Sequence, residues 1–180
     1  MSRLPLDHAT LPAASQPHLD AIQNAFGMVP AMFRAAAHSP AALASLWGSF
    51  GALGAGRLPA RLTETLAVAI ANRNQCSYCL AAHTALGRKA GVASEALLEA
   101  QAGRSTDART AAALRFALAV VERRGPVSDA DWRVLDDAGF TAEERVELLA
   151  HVALNVFTNY LNLALDVPVD FPAVPLRQAA

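Results

Sequence analysis

The sequence predicts an all-α fold in a single domain, from its composition, the spacing of its apolar residues and the placement of its helix breakers. The 180 residues are 53% hydrophobic but only 6% aromatic. Alanine and leucine dominate, and both favour helices because they lose little side-chain freedom there, whereas strand-forming residues are sparse. A chain of this length can bury one core but is short for two, so we expect one domain over residues 1–180.

Apolar residues recur at helical spacing in segments that glycine and proline separate. We expect helices at about 17–26, 30–38, 40–54, 59–72, 75–90, 93–102, 107–124, 128–138 and 141–165. Pro40 and Pro59 are placed to begin helices, and Ser128 and Thr141 each precede an acidic residue by three positions, which is a capping pattern. No stretch predicts a strand, so the expected architecture is a helical bundle.

Proline-rich segments flank this bundle, whose core we place at about residues 17–165. Residues 4–12 and 167–175 predict extended arms, because proline removes a backbone donor and keeps the preceding residue out of the helical region. Apolar residues lie between the prolines. A neighbouring subunit is therefore one candidate surface for the arms.

A weak internal repeat lies within the predicted core. Residues 64–72 align with residues 147–155, and with one gap the match continues from residues 77–78 to residues 159–160. We interpret this as a duplicated helical unit whose second copy lacks cysteines. The alternative is chance similarity between two alanine-rich helices.

Charge and hydropathy exclude several classes of partner. The formal net charge is −1 and no Lys/Arg cluster occurs, so nucleic acid is not an expected partner. Apolar stretches such as residues 66–71 are far shorter than the roughly 20 residues that span a bilayer. The first eight residues lack the pattern of an export signal, so the expected location is the cytoplasm. A reducing compartment favours a catalytic or metal-binding role for a cysteine pair over a purely structural disulfide.

The chemically informative stretch contains Glu64, Cys76, Cys79 and His83. Asn74 is a candidate N-cap for a helix that begins near Cys76, which would put both thiols in or near its first turns. Cys76, Cys79 and His83 follow an i, i+3, i+7 pattern and so share one helix face. Glu64 lies on the preceding helix, among apolar residues, where a carboxylate needs partners. The cysteine-histidine face is the nearest partner available to it.

These residue types suit thiol redox chemistry. Unpaired N–H groups at a helix start stabilise a thiolate, which is the reactive form of cysteine. A second thiol one turn away can close a disulfide after the first has been oxidised. His83 can take up or return a proton near neutral pH. The spacing therefore predicts a dithiol/disulfide cycle without a cofactor.

Two alternatives remain for the cysteines. In an alanine-rich helix they could simply fill core space. They could also bind zinc together with His83 and, as a fourth ligand, Glu64. Two cysteines on one turn with a histidine below them make a poor tetrahedron, and no second Cys-x-x-Cys or histidine pair is present. We therefore expect no metal.

Other polar and aromatic residues are assigned structural roles. We expect solvated surface positions for His8, His18 and His38, and a hydrogen-bonded core or interface position for His151. Trp47 and Phe50 are expected in the core or in the wall of a thiol pocket. The polar residues of the last helix should make hydrogen bonds between helices or subunits; these are Asn155, Asn159 and Asn162.

The ordered set of Glu64, Cys76-x-x-Cys79 and His83 resembles the AhpD-like alkylhydroperoxidase branch of the carboxymuconolactone decarboxylase family. The resemblance covers most of residues 20–172, and three further segments are similar to peroxidase-related members of about this length. These segments are residues 26–33, 159–162 and 170–172. The resemblance implies an AhpD-like all-helical bundle, homo-oligomers, and dithiol-dependent reduction of a small hydroperoxide or of a partner's disulfide.

The resemblance also implies a role for each site residue. Cys79 would attack the peroxide and Cys76 would resolve the sulfenic acid and meet an external thiol or dithiol reductant, either a protein or a lipoyl-type group. Glu64 would act as base and His83 would complete a proton relay. Tyr78 stands where the best-studied branch has a histidine, and a phenol is a poor base at neutral pH, which shortens the relay. The alternatives are a disulfide reductase, a binding or assembly protein with vestigial cysteines, and a decarboxylase-type lyase that uses Glu64 and His83 alone.

Overall fold

The computed structural model describes residues 2–177, and these form helices without a strand. Two 3₁₀ turns, His8–Thr10 and Ala13–Ser15, precede the α-helices. The α-helices are α1 Gln16–Phe26, α2 Ala31–Ala36, α3 Pro40–Gly54, α4 Ala60–Arg73, α5 Ser77–Lys89, α6 Ser94–Gln101, α7 Ala108–Arg123, α8 Asp129–Asp137 and α9 Ala142–Leu165. The predicted all-α class is confirmed, and every predicted helix is present within a few residues.

Helix α4 is the centre of the bundle and packs against α5, α6, α7 and α9. Its residues 65–72 are buried without interruption. A helix that is covered on all sides is expected to be small and apolar all round, and the alanine-rich sequence of α4 meets this condition. Glu64 lies directly before this buried run, so the fold holds its carboxylate near the core.

Two of the predicted helix starts are confirmed by their hydrogen bonds, and a third by its position. Ser128 with Asp131 and Thr141 with Glu144 form capping boxes in which each side chain bonds to the other residue's backbone N–H. Pro40 occupies the first turn of α3. Pro59 precedes α4 as its N-cap residue, one position earlier than predicted.

The proline-rich ends lie on the chain's own helices. The amide N–H of Arg3 donates to the carbonyl of Leu165 (2.8 Å). Residues 167–177, which we call the C-terminal strap, are fixed at both ends: the amide of Ala31 donates to Asp170 Oδ2 (2.6 Å), and Asn72 bonds to both the N–H and the carbonyl of Arg177. The 3₁₀ turns show that the first arm is not fully extended, because its local hydrogen bonds compact it.

Helix α9 runs straight through the segment that aligns with the bend between α4 and α5. The internal repeat therefore does not extend to a repeated pair of helices. One side of α9 packs against α3, α4, α5 and α7, and the other exposes apolar side chains; these are Val146, Phe157, Tyr160 and Leu163. Among the described residues, α9 is the helix that could cross a membrane by length and composition alone, a test that core helices of soluble proteins also pass.

Candidate thiol site

The bend between α4 and α5 positions the cysteines. The amide of Gln75 donates to the carbonyl of Asn72 (3.1 Å) and the amide of Cys76 to that of Ala71 (2.9 Å), which is the Schellman pattern of helix ends. The pattern requires a left-handed residue, usually glycine, and here Gln75 has φ 57°. The Gln75 side chain supports this conformation by donating to the carbonyls of Asn72 and Arg177.

Cys76 both ends this motif and begins α5. Its side chain is the N-cap of α5, because Sγ accepts from the amide of Cys79 (3.3 Å). The prediction that Asn74 caps α5 is wrong: Asn74 lies at the C-terminal end of α4, and its side chain donates to Asn159 Oδ1 (2.9 Å). A thiol is a weak acceptor, so sequence preferences favour the asparagine, whereas the backbone path selects the cysteine.

The two cysteines are joined as a disulfide, with Cα atoms 5.4 Å apart. They are 1% and 2% exposed, so both sulfurs lie beneath the surface. Cys79 nevertheless borders a small cavity of about 50 Å³ that is otherwise mainly apolar, with Met32, Phe33 and Phe171 in its wall. A small reactant can therefore reach Cys79 through this cavity, whereas the broad surface of another protein cannot.

Asn162 of α9 reaches the same sulfur. Its Nδ2 donates to Cys79 Sγ (3.2 Å), while its Oδ1 is buried without a protein partner. An amide N–H at this distance stabilises negative charge on sulfur. The expected hydrogen bonds between helices thus occur for two α9 residues, Asn159 and Asn162, and the second of them serves the thiol directly.

Glu64 and His83 meet as predicted from their positions on consecutive helices. Glu64 Oε2 and His83 Nδ1 are 2.8 Å apart, and the two side chains are 21% and 12% exposed. This hydrogen bond orients the imidazole and leaves its other nitrogen for chemistry. Because His83 also borders the Cys79 cavity, the pair connects the carboxylate to the space where a sulfur reaction would occur.

Tyr78 is fixed against the strap and does not act as a base. Its hydroxyl accepts from the amide of Met32 (3.3 Å), and its ring packs edge-on against Phe171 (5.7 Å). Burial raises the pKa of Tyr78 well above its usual value near 10, and Asp170 adds to this. The phenol therefore stays protonated, which restricts it to hydrogen bonding.

A larger cavity of about 190 Å³ lies on the other side of His83. Glu64, His83, His151 and Asn155 border it, together with apolar residues that include Phe50. Burial lowers the pKa of His151 below its usual 6.5, and the nearby Glu147 and Glu64 carboxylates oppose this only in part. The sequence signal for this cavity is the pair of polar residues one turn apart in apolar α9. The sequence predicts a core or interface position for His151 and hydrogen bonds between helices or subunits for Asn155, whereas the Asn155 amide donates within α9 to the His151 carbonyl.

The remaining candidates take structural positions. His8 is exposed and His18 half-buried, while His38 Nε2 bonds to the carbonyl of Pro5 (2.7 Å) and is therefore not simply solvated. Trp47 packs edge-on against Phe33 (5.7 Å), as expected of a core residue. Across residues 2–177, no three His, Cys, Asp or Glu side chains are grouped so as to hold a metal ion.

Comparison with known proteins gives the chain a family context. The sequence pattern of the carboxymuconolactone decarboxylase family matches residues 34–123, which include Glu64, both cysteines and His83. No curated protein is significantly similar in sequence to this chain.

Several solved structures share the fold. An alkylhydroperoxidase AhpD core, an uncharacterized peroxidase-related protein from Ralstonia eutropha JMP134, is 27% identical with a TM-score of 0.84, over 94% of this chain and 92% of that one. A peroxidase-related protein from Silicibacter sp. TM1040 is 24% identical with a TM-score of 0.80, over 93% and 91%. The debrominase Bmp8 in complex with 2,3,4-tribromopyrrole is 20% identical with a TM-score of 0.77, over 92% and 90%. The latter two similarities concern the fold alone.

Proposed function

We propose that this chain, which belongs to the carboxymuconolactone decarboxylase family, is a thiol-dependent peroxidase that reduces a small hydroperoxide with Cys76 and Cys79. One observation carries the proposal: the disulfide-forming pair borders a cavity that also contains His83, which is hydrogen-bonded to Glu64. A nucleophile, its resolving partner and an acid–base pair are thus adjacent. The family is enzymatic, and the 27% identical AhpD-like neighbour supports the same activity class.

The reaction begins with the reduced pair. The Cys79 thiolate attacks the terminal oxygen of the hydroperoxide, the O–O bond breaks, and the departing alkoxide takes a proton from His83 to become an alcohol. Cys79 is then a sulfenic acid. The Cys76 thiolate attacks that sulfur, hydroxide leaves as water with a second proton, and the disulfide forms. Glu64 holds the imidazole in position and exchanges protons with it.

The geometry supports Cys79 as the attacking residue. Each sulfur accepts one N–H, Cys79 Sγ from Asn162 and Cys76 Sγ from the Cys79 amide, but of the two cysteines it is Cys79 that borders the cavity. Cys76 is therefore better placed to resolve than to attack. An external thiol or dithiol would return two electrons to the pair, and the burial of both sulfurs favours a small thiol or a slender lipoyl-type arm as this reductant.

The same burial of the two sulfurs disfavours activity as a protein disulfide reductase. The disulfide of a folded protein would have to reach sulfurs that are 1% and 2% exposed. A small hydroperoxide needs only the cavity beside Cys79. We therefore favour peroxide as the oxidant, with the cytoplasm, where thiol reductants are abundant, as the proposed location.

The test is to add cumene hydroperoxide to the reduced protein and to follow the thiols by mass spectrometry. We expect a Cys76–Cys79 disulfide in the wild type and a trapped sulfenic acid on Cys79 in Cys76→Ser. In Cys79→Ser, rapid consumption of peroxide should be lost. Glu64→Gln should slow the reaction by roughly 10²-fold or more, because it removes the charge that supports the imidazole.

The alternatives predict different results. If the cysteines are vestigial, the wild-type thiols react no faster than a free cysteine. If Glu64 and His83 instead catalyse a lyase reaction, the double variant Cys76→Ser/Cys79→Ser keeps the full lyase activity of the wild type. Full peroxidase activity in Cys79→Ser would show that the roles of the two cysteines are assigned wrongly.

A further inference from the structure

We propose that the 190 Å³ cavity beside Glu64 recognises a small, uncharged organic molecule that carries a hydroxyl group, through His151 and Asn155. This inference rests on the proposed function only in taking that molecule to be the organic part of the hydroperoxide. The hydroxyl meant here is a separate group on the molecule and not the peroxide itself.

The recognition atoms are two buried polar atoms that lack a protein partner. His151 and Asn155 are 9% and 5% exposed and lie one turn apart on α9, so both point to the same side. Asn155 Nδ2 donates to the carbonyl of His151 (2.9 Å), which fixes the amide. His151 Nε2 and Asn155 Oδ1 remain unpaired. Because buried polar atoms are normally hydrogen-bonded, two unpaired ones beside one cavity indicate a ligand with a polar group there.

The charges around the cavity select an uncharged ligand. Burial keeps the His151 ring neutral near neutral pH, so it offers no positive charge to an anion. Glu64, which also borders the cavity, and the acceptor oxygen of Asn155 both disfavour an anion. A cation would lose its hydration in a mostly apolar space. A hydroxyl group satisfies both unpaired atoms, because it can donate its one proton to Asn155 Oδ1 and accept a hydrogen bond from the N–H at His151 Nε2.

The rest of the cavity accommodates an organic body. Its remaining wall is largely apolar, with Phe50, Leu53, Leu58 and Leu154, and its volume suits one ring or a short branched chain. His83 borders both this cavity and the one that contains Cys79. A ligand held by its hydroxyl at His151 and Asn155 would therefore share this cavity with His83.

The test measures binding to the disulfide form, without peroxide. Three probes of similar shape are compared by ligand-observed NMR titration: benzyl alcohol, ethylbenzene and benzoate. We expect benzyl alcohol to bind about tenfold more tightly than ethylbenzene, since one hydrogen-bonding group separates them, and benzoate to bind more weakly than benzyl alcohol.

Variants then test whether the preference for benzyl alcohol over ethylbenzene depends on His151 and Asn155. His151→Phe and Asn155→Leu should each abolish the preference for benzyl alcohol while ethylbenzene still binds. Tyr160→Phe is the matched control, because it also removes a polar atom from α9 but from an exposed position away from the cavity. It should leave all three affinities unchanged.

Four results would overturn the inference: no probe binds, the alcohol and the hydrocarbon bind equally, benzoate binds most tightly, or both variants keep the preference. The comparison of probes on the wild type needs no variant to fold. Since the disulfide form catalyses nothing in this assay, failure here is distinct from failure of the peroxidase proposal, which the thiol experiment alone decides.

Discussion

Replacement of Asn162 by leucine should raise the pKa of the Cys79 thiol, and so destabilise its thiolate, while leaving the free energy of unfolding nearly unchanged. Asn162 Nδ2 donates to Cys79 Sγ at 3.2 Å, and its own Oδ1 is buried without a protein partner. Leucine has nearly the same shape, so the variant loses one hydrogen bond and also removes an unsatisfied buried acceptor. These two effects nearly cancel in the neutral protein, and we expect the free energy of unfolding to change by less than ~1 kcal/mol.

The thiolate has no such compensation. A hydrogen bond to a charged group contributes roughly 1.5–3 kcal/mol. Since one pKa unit corresponds to about 1.4 kcal/mol, the pKa of the Cys79 thiol should rise by roughly one to two units. At pH values below the wild-type thiol pKa, the thiolate fraction, and with it the rate of reaction with hydroperoxide, should then fall by roughly tenfold or more.

The measurement uses Cys76→Ser as background, so that a single thiol titrates. The ultraviolet absorbance of the thiolate is followed against pH in the presence and absence of Asn162→Leu, and a urea titration of both proteins reports stability. Asn162→Asp is a useful third protein, because a carboxylate at this position should raise the pKa further. An unchanged thiol pKa in the leucine variant would show that this hydrogen bond does not serve the thiolate.

Three further outcomes follow from other contacts. Hydrogen bonds from Ser128 help to hold the pKa of Asp131 at about 2, below its usual 3.8, so the wild type should lose stability as pH falls from about 4 to 2. Thermal melts of Asp131→Asn should show a smaller loss in that window, the remainder coming from other carboxylates with lowered pKa values such as Glu144. Asn72→Ala removes two hydrogen bonds to the backbone of Arg177 and leaves the one from Gln75, and it should cost roughly 2–3 kcal/mol in urea unfolding. Because Phe171 of the strap lies in the wall of the Cys79 cavity, the variant should also speed disulfide reduction by dithiothreitol; equal reduction rates would show that the strap does not limit access to the disulfide. We also propose that the exposed apolar side of α9 mediates self-association, so Phe157→Glu should lower the mass measured by light scattering to that of one chain.

The helices could be predicted because their signals are local. Alanine-rich segments with apolar residues at helical spacing, separated by glycine and proline, leave little alternative to a helical bundle. The capping pairs at Ser128 and Thr141 work within four residues and are equally readable. The meeting of Glu64 and His83 also follows from sequence, since consecutive helices with a short bend must pack side by side.

What could not be predicted depends on contacts between distant segments or on backbone geometry. Asn74 was a better candidate cap by residue preference, but the left-handed conformation of Gln75 places Cys76 at the helix start. The contacts of Asn162 with Cys79 and of Asn72 with Arg177 span 83 and 105 residues. No local pattern specifies such pairs. Similarly, the apolar context of His151 indicates burial, but not that an open space lies beside it.

The bend at Cys76 joins the two halves of the site, Glu64 on α4 and the thiols with His83 on α5, without a flexible linker. One residue ends the α4 motif through its N–H and begins α5 through its sulfur, so no linker exists that could absorb an inserted or deleted residue. A change of length there would displace the thiols and the imidazole together relative to Glu64. In the loop at residues 102–107, between α6 and α7, no single residue both ends one helix and begins the next. Grafted sequences and reporter insertions are therefore expected to be tolerated at that loop and to abolish the site at the bend.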